Sequence, residues 1–98
     1  MADAPRDLRL KVWPPLIKAG EKITATIEGW NLTETVVRLD APDTVVISPP
    51  HLHIVGTGTF KQTIEWTVEH VQEGAVGTVE ITTTAGNIVQ LGLCKVVA

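Results

Sequence analysis

Residues 22–28 read KITATIE, and their alternation decides the fold class. Ile23, Ala25 and Ile27 fall on one parity, and Lys22, Thr24, Thr26 and Glu28 on the other. A period of two is what an extended strand with one dry and one wet face requires. Toward the N-terminus, LRLKVW (residues 8–13) repeats the pattern, with Leu8, Leu10 and Val12 against Arg9, Lys11 and Trp13. Pro14 and Pro15 end that strand, since proline donates nothing to a ladder. Toward the C-terminus, Gly29 predicts a break and Thr35 to Asp40 a further strand, with a turn at APD. Thr44 to Ser48 forms a short run closed by Pro49 and Pro50.

Beyond the prolines, Leu52 and Ile54 alternate with His51, His53 and Val55, and Gly56 and Gly58 predict a turn. Phe60, Gln62, Ile64, Trp66 and Val68 then share the parity of a long central strand, with Trp66 as the centre of the core. QEGAVG predicts a loop, Val79 and Ile81 an inward face, and AGN a hairpin turn. In the last run Val89, Leu91 and Leu93 share a face while Val96 falls on the other, so Gly92 predicts a β-bulge.

Thr, Val and Ile supply 34 of the 98 residues, and no segment carries a long stripe at helical spacing. The fold class is therefore all-β. The short connections leave no room for a crossover helix, so the strands pair antiparallel, seven or eight of them in a sandwich. Residues 8–98 form this single domain, and residues 1–7 a polar N-terminal arm.

A net charge of −3 excludes the clustered positive face that nucleic acid demands. The basic residues still lean to one end: Arg6, Arg9, Lys11, Lys18 and Lys22 precede Trp30, an asymmetry suited to orienting a partner. MADAPRDLRL lacks the apolar run of a secretory signal, and no stretch approaches the ~18 apolar residues of a membrane span. The expectation is a protein of a virion or of the producing cell's cytoplasm, with no membrane partner.

Candidate chemistry is sparse. His51 and His53 project to one face about 7 Å apart, a spacing that two imidazoles use to chelate a metal. A third ligand would have to come from another strand, and no tight ligand motif is present, so the pair reads as surface histidines with no metal and no cofactor. Cys94, the single cysteine, excludes an internal disulfide and reads as a small apolar filler of the last strand. No carboxylate pair is placed for acid–base work, and Asn31-Leu32-Thr33 is a chance match to the glycosylation sequon. Trp13 lies opposite Leu10 and Val12 in parity, beside Pro14, and Trp30 sits at a turn; both are interface candidates, because an exposed Trp buries a large area with few rotatable bonds. Each could instead cover an open end of the sandwich.

AGEKITATIEGWNL (residues 19–32) is similar to the opening of bacterial immunoglobulin-like domains of the TIG kind, where a Gly turn leads into an alternating strand and then Gly, a variable residue, Asn and an apolar residue. Gly29, Trp30, Asn31 and Leu32 hold those positions, and EGAVGTVEITTTAGN resembles the closing strand pair. The resemblance implies an immunoglobulin-like sandwich and no catalytic activity. Small immunoglobulin-like chains without signal peptides also resemble, in architecture, capsid decoration (cement) proteins and tail modules of phages. The reading is a non-catalytic structural protein that docks on other protein, itself and a larger assembly, as a homo-oligomer, with Arg6, Arg9, Trp13 and Trp30 as interface residues. The alternative is a recognition module of a secreted or cell-surface protein that binds carbohydrate or a receptor.

Overall fold

The computed structural model describes residues 5–49 and 52–98, which fold into seven strands. These are β1 (Arg6–Trp13), β2 (Leu16–Lys18), β3 (Lys22–Asp40), β4 (Val45–Ser48), β5 (Leu52–Val71), β6 (Val76–Ala85) and β7 (Ile88–Val97). They form one hydrogen-bonded sheet that is folded over into two layers. The first half of β3 pairs with β1 on one side and with the second half of β5 on the other, and β4 continues that layer. The second half of β3 pairs with β6 and with the first half of β5, and β7 and β2 continue the other layer.

The contact between His53 and Trp66 establishes the fold-over. Both belong to β5, and an unbent strand would hold them about 40 Å apart. Their ring centroids are 5.6 Å apart, edge to face.

Two expected strands are therefore one. Gly29 does not end KITATIE; the ladder continues through register shifts between Gly29 and Val36 while the strand bends from one layer to the other. Asn31 takes a positive φ of 53°, which asparagine tolerates better than most side chains, and Leu32 folds back over Gly29. The expected turn at Gly56 and Gly58 is likewise a bend inside β5, opposite the bulge of β3, with φ of 114° and 92°. Only glycine enters that region without strain, so the ladder survives where a larger residue would break it.

The sequence reading missed β2. After Pro14 and Pro15 the chain crosses to the other layer, and Leu16–Lys18 pairs parallel with Lys95–Val97, the one parallel pair among the described residues. β1 begins at Arg6, two residues earlier than expected, with an irregular register between Arg6 and Arg9.

The core lies between the layers. Ile23, Ala25, Ile27, Ile64, Trp66 and Val68 meet Val37, Leu39, Val79, Ile81, Cys94 and Val96 in one cluster, and Trp66 is its largest member, with no exposed surface. The inward parities expected for β3 and β6 hold, as do Ile64, Trp66 and Val68 in the second half of β5, whereas Gln62 of the same parity is exposed.

β7 differs from expectation. Its pairing with β6 runs without interruption from Ile88 to Val97, so Gly92 is not a bulge. Cys94 and Val96 face inward, and Val89, Leu91 and Leu93 face out, each more than half exposed. Gly92 lets β1 lie close against β7: a Cβ placed there would sit 2.2 Å from Val12 Cγ2. The first half of β5 is inverted in the same sense, for Leu52 and Ile54 point to solvent while His53 points inward. His51 lies outside the described residues.

Candidate functional site

Arg9, Lys11 and Trp13 project from the outer side of β1, beside Glu28, Thr26 and Thr24 of β3. Lys61, Thr63 and Glu65 of β5 complete the rows. Arg9, Glu28 and Lys61 stand in register across three strands, so cation, anion and cation alternate. The basic residues early in the chain are thus interleaved with carboxylates from later strands, and Lys22 pairs with Glu65 at 3.8 Å. Such exposed pairs contribute little to stability.

The four residues picked out by sequence occupy this one layer. Arg6 is in register with Trp30, its guanidinium carbon 6.0 Å from the indole centroid, within cation–π range. Trp13 is in register with Thr24, six residues before Trp30, which sets the two tryptophans about 20 Å apart along the face. Trp13 is 61% and Trp30 53% exposed. Three shallow depressions lie between them. One of about 410 Å³ is lined by Trp30, Arg9, Glu28, Phe60 and Lys61. A second of about 610 Å³ adds Lys11, Thr26 and Thr63, and a third of about 320 Å³ lies beside Trp13, Lys11, Thr24 and Thr26. An open surface of this kind suits contact with a broad partner, held by aromatic and cationic side chains.

The groups that suggested chemistry are placed elsewhere. His53 is not on the wet face expected for it; its Nε2 is buried without a hydrogen-bond partner and its ring packs on Trp66. The described residues contain no group of three or more His, Cys, Asp or Glu side chains able to hold a metal ion. Cys94 is fully buried, as its strand position suggested, and its thiol donates to the Pro14 carbonyl at 3.1 Å. Burial pushes the thiol from 9.0 up to about 11, because the thiolate would lose its hydration. Cys94 is a packed core residue with no nucleophilic character.

A pH dependence follows. Between about 9 and about 11 the unfolded thiol is ionised while the folded one keeps its proton, so unfolding releases a proton and stability falls as pH rises. The expected loss is on the order of 2 kcal/mol across that window, absent below it. Urea titrations at pH 8 and pH 11 measure it. Cys94→Ala should lower stability at pH 8 by roughly 1 kcal/mol and reduce the alkaline decline.

No protein-family model matches the chain, and no curated protein matches it. Solved structures do. The chain is similar over 91% of its length to WR4, a C. elegans MSP family member, at 11% identity and a TM-score of 0.55, covering 96% of that chain. Over 97% of its length it is similar to domains 4 and 5 of the S-layer protein SbsC, at 21% identity and a TM-score of 0.52, spanning 54% of that chain. The fold is an immunoglobulin-like β-sandwich. The likeness, to an MSP family member and to S-layer protein domains, is to that class and not to TIG domains in particular.

Proposed function

We propose that this protein is a non-catalytic structural module that docks on other protein subunits, itself included, and becomes part of a larger assembly. The observation that carries the reading is the face between Trp13 and Trp30. Two tryptophans more than half exposed, with Arg6 and Arg9 beside them, are the residue types that anchor protein interfaces. The finer reading is an accessory component of a virion, a capsid decoration or tail module, in the particle or the cytoplasm of the producing cell. It is supported by the immunoglobulin-like architecture of the domain.

A second reading has one observation in its favour. The Trp13 ring borders a depression lined by Thr24, Thr26 and Lys11, and an aromatic face beside hydroxyls is suited to a sugar ring. Sedimentation velocity over a concentration series, with a glycan array in parallel, separates the two. The assembly reading expects mass to rise with concentration and no glycan retained. A strict monomer that is retained on glycans, and released by Trp13→Ala, would establish recognition in its place.

A further inference from the structure

The outer face of the second layer carries apolar side chains that the proposed role of the first layer does not use. Val89, Thr84, Val36 and Ile54 stand in one register row across β7, β6, β3 and β5. Leu91, Thr82, Arg38 and Leu52 form the next row. Leu93, Glu80 and Asp40 form the third. The result is two apolar rails, Val89, Leu91 and Leu93 along β7 and Leu52 and Ile54 along β5, each side chain 51–65% exposed. Between them lies a strip of Thr82, Glu80, Arg38 and Asp40, with Val36 and Thr84 at one end.

We propose that this face is the contact between two copies of the chain, a proposal that rests on the assembly reading above and names where self-association occurs. Three features select a second copy as the occupant. First, the charges balance: Arg38 and Lys95 face Asp40 and Glu80, two cations against two anions, with Arg38 and Asp40 3.3 Å apart. A strongly charged partner gains nothing from such a face, and in a symmetric copy Glu80 of one chain comes over Asp40 of the other with Arg38 one row from both, so each arginine has two carboxylates to neutralise. Second, the rails flank the polar strip in the same rows. A two-fold axis lying in the interface along the strands sets β7 of one copy on β5 of the other, Leu91 over Leu52 and Val89 over Ile54, and the strip on the strip. Closed two-fold contacts demand that self-complementarity, and aligned sheets pack face to face in this way.

Third, the area fits. Four strands and the rows from Val89 to Lys95 make a face about 19 Å wide and about 20 Å tall. With its side chains it buries on the order of 600–800 Å² per copy, the lower end of stable interfaces. A dimer of micromolar affinity is the expected product.

The test is sedimentation velocity of the full chain from about 1 μM to about 500 μM, comparing wild type with the Leu91→Lys/Ile54→Lys double variant and with Trp13→Ala/Trp30→Ala. Thermal unfolding confirms that each variant is folded, as substitutions at these exposed positions should leave it. Wild type is expected to dimerise, the lysine variant to associate at least tenfold more weakly, and the tryptophan variant to dimerise as wild type does. Dimers unaffected by the lysines but lost with the tryptophans would overturn the placement and leave the assembly reading intact. A wild type monomeric throughout the range would overturn self-association itself.

Discussion

Trp66→Ala is expected to remove about 3–5 kcal/mol of stability, most of what a chain of this size possesses. Trp66 has no exposed surface and lies between the layers, with Ile23 beside it in the ladder and the His53 ring against it from the opposite layer. The loss of its ring deletes the contact that both halves of β5 share, so the cavity opens at the bend-over itself. Trp66→Phe separates packing from polarity. The indole N–H is buried without a hydrogen-bond partner, so phenylalanine sacrifices volume and no hydrogen bond, and a loss of only about 1–2 kcal/mol is expected. Urea unfolding followed by circular dichroism measures both. A loss from Trp66→Phe well above that range would show that the indole N–H is hydrogen-bonded.

Gly92→Ala is the second large effect, and it comes from overpacking. The new Cβ would lie 2.2 Å from Val12 Cγ2, 3.2 Å from Val12 Cβ and 3.3 Å from Leu10 Cδ2, so β1 must move off β7. About 2–3 kcal/mol is expected. Val12→Ala removes the offending methyl and, at a half-buried position, costs roughly 1 kcal/mol alone. The double variant should be more stable than Gly92→Ala, with a coupling of at least about 1 kcal/mol. Simple additivity in denaturant titrations would mean that β1 does not lie over Gly92.

The same contact explains where sequence reading stopped. KITATIE was legible because the parity of Ile23, Ala25 and Ile27 is uninterrupted and those residues do face the core. In β7 parity was equally clear, but it does not say which face is inside. Val89, Leu91 and Leu93 have the larger side chains and looked like core; Gly92 and Cys94 face inward because β1 and Pro14 leave room for nothing bigger. Leu52 and Ile54 misled in the same way, since nothing local shows that Trp66 of the same strand returns to cover His53. The bends were hidden too: glycines at 29, 56 and 58 are ordinary turn signals, and only the ladder across them reveals strands that change layer.

For the candidate face, composition was the guide. Trp13 lies opposite Leu10 and Val12 in parity, but Trp30 reads as a turn residue and Arg6 as part of the N-terminal arm, so that the four share one layer is visible only in the ladder of β1 on β3. The apolar rails of the second layer could not be found by that route. They consist of residues that any strand pattern assigns to the interior, and their exposure depends on the tertiary fold-over.

Every assignment of inner and outer faces in the first half of β5 rests on the return of that strand over itself, and a slip of one residue would exchange them. Through-space proton NMR of the His53 and Trp66 rings tests this directly. Cross-peaks between the imidazole and the indole, with the Leu52 and Ile54 methyls free of contacts to Trp66, are the result the account requires. Methyl contacts from Leu52 or Ile54 to the indole, with the His53 ring free in solvent, would contradict it.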